Sequence, residues 1–111
     1  MKNWKNITTE TDVDAIIEKS TEYTQIIFKD SVTCGISAFA KERLQLGNHF
    51  LENKADFHYL DLLQFRAVSN YIATTLNVIH QSPQIIVLKN KVVVYKASHH
   101  TIMPETISQH L

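Results

Sequence analysis

The sequence predicts a three-layer α/β/α domain, in which a mixed sheet of four strands lies between helices and one extra helix precedes the first strand. Two observations predict this class. Apolar runs of strand length alternate with segments of helical periodicity, and the last two runs are joined closely at Asn90. Strand–helix–strand units give parallel strand pairs, whereas a hairpin adds an antiparallel pair. The sheet is therefore expected to be mixed.

Length and composition indicate one soluble globular domain. The chain has 111 residues, of which 44% are hydrophobic and 20% charged, which excludes disordered and low-complexity classes. Eleven Lys and Arg balance eleven Asp and Glu, so neither nucleic acid nor an anionic membrane is an expected partner. The amino-terminal residues lack the apolar run of a signal peptide, and no apolar stretch approaches the ~20 residues of a membrane span. We expect a cytoplasmic protein.

The first half of the chain predicts two helices and one strand. Residues 11–20 form an amphipathic helix, for which Thr11 and Asp14 supply a capping box. A β-branched and aromatic run at 24–29 predicts a buried strand. The next helix starts at or beside Cys34 and extends to about residue 52, although Gly47 indicates either a close packing contact or an earlier end.

The second half adds three strands and two helices. The strands are predicted at 57–62, 84–89 and 92–96, and the helices at 65–76 and 104–111. The continuous apolar run at 85–88 is typical of a central strand that is covered on both faces. This order of elements is that of a thioredoxin-like domain.

Cys34 is the only cysteine of the chain, so the chain can form no internal disulfide and cannot by itself anchor a thiolate metal site. An inert buried thiol is the ordinary interpretation of a lone cysteine. Its position directly after a strand and at the start of a helix favours a reactive one. The backbone N–H groups of Ile36 and Ser37 and the helix dipole would stabilise a thiolate there.

A serine occupies the position three residues after Cys34. Dithiol oxidoreductases carry a resolving cysteine at this spacing, and Ser37 can donate a hydrogen bond to a thiolate but cannot displace a mixed disulfide. The string Cys34-Gly35-Ile36-Ser37 therefore predicts a monothiol cycle. The alternative is that Ser37 only satisfies the first helical turn.

A second motif, Ser82-Pro83, immediately precedes a predicted strand of the hairpin. In the predicted topology this proline lies opposite the cysteine loop. A cis bond there would expose the backbone of Ser82 for strand-like pairing with a substrate, whereas a trans proline would simply start the strand.

Four segments together resemble a known family, the YtxJ-type monothiol bacilliredoxins, also called bacilliredoxin C. They are residues 33–37 around Cys34, residues 66–73, residues 80–84, and Ser98-His99 with Ile102. The resemblance covers nearly the whole chain after the first ten residues. It implies a thioredoxin-like fold, a place in the bacillithiol redox system, and Cys34 as the attacking thiol. Many members carry proline where this chain has Gly35, which loosens the loop and leaves one more N–H donor.

The resemblance also implies a reaction. The Cys34 thiolate attacks the bacillithiol sulfur of a protein mixed disulfide, and the client protein leaves as a free thiol. The implied partners are bacillithiolated client proteins and bacillithiol itself, which serves as a thiol co-substrate, and no bound cofactor is required. Another bacillithiol thiol or a reductase must then regenerate Cys34. That an external thiol is needed follows from the single cysteine alone.

Several residues are candidates for supporting roles. Thr33 either contacts the sulfur or caps the helix. Arg66 and Asn70, with Ser69, lie at the start of a helix and could hold a carboxylate of bacillithiol, a sugar-malate thiol, although exposed first-turn residues are common. His80 could approach Cys34 or be satisfied by backbone. The pair His99-His100 is not expected to bind metal, because adjacent strand residues point to opposite faces.

Two other functions remain open at the level of sequence. One is a glutaredoxin-like carrier that holds an iron–sulfur cluster between two subunits. The other is a non-catalytic thioredoxin-fold module whose cysteine senses oxidants or merely packs.

Overall fold

A computed structural model describes residues 4–111. They form five strands, four helices and two short 3-10 turns at 48–50 and 99–101. The strands are β1 (Trp4–Asn6), β2 (Gln25–Asp30), β3 (Asp56–Asp61), β4 (Gln84–Lys89) and β5 (Val92–Ser98). The helices are α1 (Glu10–Lys19), α2 (Gly35–Leu46), α3 (Arg66–Leu76) and α4 (Pro104–Ser108).

The sheet has the strand order β1-β3-β2-β4-β5. β1 and β2 run parallel to β3, whereas β4 is antiparallel to both β2 and β5. The mixed sheet is thus as predicted, but the prediction of four strands was wrong because β1 adds a fifth at one edge. A three-residue strand with two polar positions has no period-2 signal. β1 is held instead by its neighbour, where the Trp4 ring stacks on Phe57 with centroids 5.1 Å apart.

Helix α1 begins one residue earlier than predicted, at Glu10, and its N-cap lies two residues earlier, at Thr9. The capping box is formed by Thr9 and Asp12, in which Thr9 Oγ1 accepts from Asp12 N–H and the Asp12 carboxylate accepts from Thr9 N–H. The predicted pair of Thr11 and Asp14 has the same spacing, so sequence could not separate the two. The earlier start allows one more hydrogen bond, since Thr8 N–H also donates to the Asp12 carboxylate at 2.9 Å.

Helix α2 ends at Leu46 rather than near residue 52, and Gly47 is its C-cap. A Cβ atom at Gly47 would lie 2.5 Å from Cγ of Pro104, the first residue of α4. Both indications drawn from this glycine are therefore correct: the helix ends there and another element packs against it. The following residues, 48–50, form a 3-10 turn instead of continuing α2.

Two apolar cores lie on the two faces of the sheet. One joins α1 and α3 to the sheet, and the other joins α2 and α4 to it. All six residues of β2 are buried, and so are the first five of β4, which confirms the prediction of a strand covered on both faces. The hairpin at Asn90 is also confirmed, with φ of 52° at Asn90 and 65° at Lys91.

The remaining helices and strands agree with prediction to within a few residues. β5 continues two residues beyond the predicted end, and α4 stops at Ser108 rather than at the carboxyl terminus. None of the helices formed by residues 4–111 is long and apolar enough to cross a membrane.

Candidate active site

Three loops meet at one end of the sheet. Cys34 follows the carboxyl end of β2, and Arg66 follows the carboxyl end of its parallel neighbour β3. β4 runs antiparallel to β2 and places Gln84 opposite Lys29, so Pro83 enters the sheet at the same end. The topology thus brings the cysteine, the start of α3 and the proline loop to one end of the sheet, and the proline lies at the cysteine end as predicted.

Cys34 is the N-cap residue of α2, with extended backbone at φ −102° and ψ 125°. The thiol is partly exposed and makes no capping hydrogen bond. The backbone N–H groups of Ser37 and then of Ile36 lower the pKa of the thiol below its ordinary value. These are the unpaired donors of a helix amino terminus, and they stabilise the thiolate form.

Ser37, in the first turn of α2, is fully buried. Its hydroxyl accepts a hydrogen bond from Ser31 N–H at 3.3 Å and also contributes a smaller lowering of the pKa of Cys34. The side chain therefore links the loop that follows β2 to the first turn of α2. The effect on the pKa of Cys34 supports the predicted role of Ser37 as a donor to the thiolate. The contact with Ser31 shows that Ser37 also has the structural role that was the alternative.

Replacing Ser37 with alanine should weaken the thiolate without abolishing it. The two backbone donors remain, so we expect a modest rise in the pKa of Cys34 and a several-fold slower alkylation at pH 7. The measurement is the rate of iodoacetamide modification against pH, followed by mass spectrometry. Ser108→Ala, which makes the same change at the end of α4, is the matched control. An unchanged rate in Ser37→Ala would contradict the hydroxyl contribution.

Thr33 and Gly35 flank the nucleophile and differ from expectation. Thr33 is exposed and precedes the N-cap, so the role of helix cap suggested for it is wrong. Gly35 is the first residue of α2, and a Cβ atom built on it meets nothing within 4 Å. The donors that lower the pKa of Cys34 belong to Ile36 and Ser37, so the additional N–H of Gly35 does not supply them.

A buried carboxylate lies close to the cysteine loop on the α2 side of the sheet. Asp30 accepts a hydrogen bond of 2.5 Å from the Tyr59 hydroxyl, and Lys41 Nζ lies 4.0 Å from the same oxygen. Among residues 4–111, the other oxygen of Asp30 has no hydrogen-bond partner. Burial raises the pKa of Asp30, and its charge acts on Cys34 in the direction that disfavours the thiolate. Lys41 offsets part of that charge.

The peptide bond between Ser82 and Pro83 is cis, which is the first of the two alternatives considered. The Pro83 carbonyl accepts a hydrogen bond of 3.1 Å from His99 N–H. Arg43, on α2, donates to the carbonyl oxygens of His99 and Ile102, each at 3.0 Å. The segment containing His99 therefore connects the proline loop to the helix that carries Cys34.

The other predicted binding residues lie on the α3 side of the same end. Arg66 is the first residue of α3 and is exposed, and Asn70 lies one turn later on the same helix face. His80 is exposed as well, and the charge of Arg66 is among the causes that lower its pKa. Arg66 and His80 are thus brought near each other. Asn70 is exposed beside them and makes no side-chain hydrogen bond among residues 4–111.

Sequence reasoning missed three residues that shape this site. Lys29 and Asp30 are the last two residues of β2, in which every residue is buried. Two adjacent charged residues at the end of an apolar strand were the feature of the sequence that could have indicated their importance. Arg43 gave no signal, because an arginine on a helix is usually solvated. In the structure, each of the three makes contacts that join elements distant in sequence.

Within residues 4–111, no group of three or more His, Cys, Asp or Glu side chains is placed to hold a metal ion. This end of the sheet carries a single activated thiol beside an exposed apolar surface. Val32, Ile36 and Phe39 form that surface, and Phe39 is 63% exposed.

Solved structures with the same architecture define the class of protein. The chain superposes on a structure described as a candidate oxidoreductase with a thioredoxin fold at a TM-score of 0.84, with 31% identity, covering 98% of this chain and 94% of the other. Fasciola hepatica thioredoxin gives a TM-score of 0.74 at 17% identity, covering 96% and 99%. Schistosoma mansoni thioredoxin gives 0.70 at 16%, covering 96% and 91%. The two thioredoxins show the fold alone.

Fold and site together define a thioredoxin-fold protein of thiol redox function with one cysteine at the helix amino terminus. A family described as Monothiol bacilliredoxin BrxC matches residues 5–107. The chain belongs to this monothiol bacilliredoxin family, which confirms the resemblance drawn from its four motifs.

Proposed function

We propose that the protein removes bacillithiol from protein mixed disulfides and that Cys34 is its nucleophile. The observation that carries the proposal is the position of the only cysteine, at the N-cap of α2 with two backbone donors that lower its pKa. A thiolate at this position attacks disulfides readily, since the thiolate is the nucleophilic form. Family membership supports bacillithiol as the thiol that is transferred.

The proposed reaction has two exchange steps. In the first, the Cys34 thiolate attacks the bacillithiol sulfur of the client. A new bond joins Sγ of Cys34 to that sulfur, the original disulfide bond breaks, and the client cysteine leaves as a thiolate that takes a proton from water. In the second, a free bacillithiol thiolate attacks the adduct, releasing bacillithiol disulfide and the Cys34 thiolate. Each step conserves the number of disulfides.

The surroundings of Cys34 offer contacts for both the client protein and bacillithiol. The exposed apolar side chains of Val32 and Phe39 favour transient contact with many client proteins, and the neutral chain adds no charge selection. We assign the backbone of Ser82 beside cis Pro83 to pairing with the client segment. Arg66 and Asn70 are the candidates for contacts with bacillithiol. The compartment we propose is the cytoplasm.

Incubation with a bacillithiolated client protein, followed by mass spectrometry of both proteins, tests the proposal. We expect one bacillithiol adduct on the wild-type chain, release of the client thiol, and no adduct on Cys34→Ala. Free bacillithiol should then remove the adduct. A wild-type chain that takes no adduct at pH 7 would overturn the proposal and favour a non-catalytic module. A visible chromophore in the purified protein, lost with the cysteine, would favour the iron–sulfur carrier instead.

A further inference from the structure

A buried ammonium lies behind the proline loop. Lys29, on β2, is fully buried on the α3 side of the sheet. Its Nζ donates to the Ser69 carbonyl at 3.1 Å and lies 3.2 Å from Nδ1 of His80. The ion pairs found in residues 4–111 do not include Lys29, so its partners are a neutral carbonyl and an imidazole. The charge is taken out of water without a carboxylate to compensate it.

The contact between Lys29 and His80 determines where the imidazole carries its proton. An ammonium has donors only, so Nδ1 of His80 must accept, and the proton of the neutral ring is then on Nε2. Burial, followed by the charges of Lys29 and Arg66, lowers the pKa of His80 below its ordinary value. At neutral pH the ring is therefore an uncharged donor through Nε2.

Both contacts of the His80 ring are made at Nδ1, which lies 3.2 Å from Lys29 Nζ and 3.5 Å from the Ser69 hydroxyl. The residue is exposed, and Nε2 has no hydrogen-bond partner among residues 4–111, so its N–H group is available to a ligand. Hydrogen bonding of Nδ1 to a cation also strengthens the Nε2–H group as a donor.

The charges that act on His80 are both positive. Arg66 is exposed at the start of α3, and, within residues 4–111, it has no carboxylate within ion-pair distance. A guanidinium, an available N–H group and a buried ammonium behind it form a surface that is complementary to a carboxylate.

We propose that Arg66 and His80 bind a carboxylate of the small thiol, His80 through Nε2–H, and that Lys29 is the positioning residue that fixes this tautomer. The identity of the ligand rests on the proposed function, since bacillithiol carries its carboxylates on malate. The contact between Lys29 and His80 does not rest on it. Through His80, the buried Lys29 thereby influences which small thiols the surface binds.

The first test uses malate as the probe and needs no enzymatic activity. In ¹⁵N-labelled wild-type protein at pH 7, the His80 ring should show the Nε2–H tautomer, and its signals should shift with malate to saturation in the millimolar range. Glycerol should cause no shift. In Lys29→Met, which preserves volume and buries no charge, both tautomers should be populated and malate affinity should fall several-fold.

The pH profile separates a positioning role from a structural one. Burial lowers the pKa of Lys29 to about 8, so wild-type affinity for malate should fall as pH rises through that value. The step should be absent from Lys29→Met and present in Lys54→Met, which removes a charge at the opposite end of the sheet. A wild-type ring with its proton on Nδ1, or a malate affinity that Lys29→Met leaves unchanged, would overturn the proposal.

The second test measures discrimination between two mixed disulfides of one client, carrying bacillithiol or uncharged 2-mercaptoethanol. The ratio of their kcat/KM values should fall about tenfold in Lys29→Met and in His80→Phe, mainly through KM for the bacillithiol substrate, and stay constant in Lys54→Met. An equal loss for both substrates would contradict carboxylate recognition. If the wild type processes neither substrate, the proposed function fails, and the malate titration still decides the role of Lys29.

Discussion

Cys34→Ser is expected to abolish debacillithiolation completely. A hydroxyl is not ionised near neutral pH and forms no disulfide, so the first exchange step has no nucleophile and the second has no adduct to resolve. The chain contains no other cysteine that could substitute for it. The measurement is release of the client thiol over time with excess bacillithiol, compared with the uncatalysed exchange.

The same substitution should leave the fold intact, because Cys34 occupies an N-cap without making a capping hydrogen bond. Serine is among the favoured N-cap residues, and Cys34→Ala lacks a hydroxyl, so the serine variant should be the more stable of the two by about 1 kcal/mol. Both variants should be inactive. Turnover by Cys34→Ser above the uncatalysed rate would refute the assignment of the nucleophile, and equal loss of structure in both would show that the thiol is needed for folding.

The position of Cys34 was predictable because its determinants are local. A buried β-branched run, a turn and a helical period follow one another within about twenty residues, and together they place the cysteine at a helix amino terminus. The hairpin at Asn90 was predictable for the same reason, whereas the end of α2 was placed near residue 52, with Gly47 as the one indication of the earlier end that the structure shows. At each place a single residue carries the information: Asn90 adopts a positive φ, and Gly47 leaves no room for a Cβ atom.

The features that the sequence did not predict, β1 and the role of Arg43, depend on contacts between segments that are distant in the chain. β1 exists because Trp4 stacks on Phe57 and its backbone pairs with β3, and nothing within three polar and aromatic residues encodes that partner. Similarly, Arg43 is tied to the segment after β5 by two backbone carbonyls 56 and 59 residues away. Propensity and periodicity do not report such pairings.

Lys29 and Asp30 show why adjacent charges on a buried strand need not neutralise each other. Successive strand residues point to opposite faces of the sheet, so Lys29 reaches α3 and His80, whereas Asp30 reaches Tyr59 and Lys41. The carboxylate thus lies on the side of the helix that carries Cys34, and the ammonium lies on the side where Arg66 begins α3. The sheet separates a group that tunes the nucleophile from a group that orients a ligand contact.

A second buried chain of polar groups lies at the opposite end of the sheet. His58, on β3, is only 7% exposed, and its Nε2 lies 2.7 Å from Oε1 of Gln25. The Gln25 amide donates to Asp56 at 2.8 Å, which orients its oxygen toward the ring. Nε2 of His58 therefore carries the proton in the neutral form. Burial, followed by the charge of Lys5, lowers the pKa of His58 to about 4.

This histidine should make the protein lose stability in mild acid. Below pH 6.5 the unfolded chain takes up a proton at this ring, but the native protein does not until about pH 4, so the free energy of unfolding falls as pH decreases through that window. The full effect is on the order of 3 kcal/mol, a large part of the stability of a small domain.

Urea unfolding at constant ionic strength between pH 7 and about pH 4 measures this loss of stability. His58→Gln, whose amide can still donate to Gln25, should flatten the profile, whereas His100→Gln, at an exposed position, should leave the slope in place. Parallel profiles for wild type and His58→Gln would show that this ring does not control the acid response, and other groups, such as His80 or the carboxylates, would then account for the loss of stability.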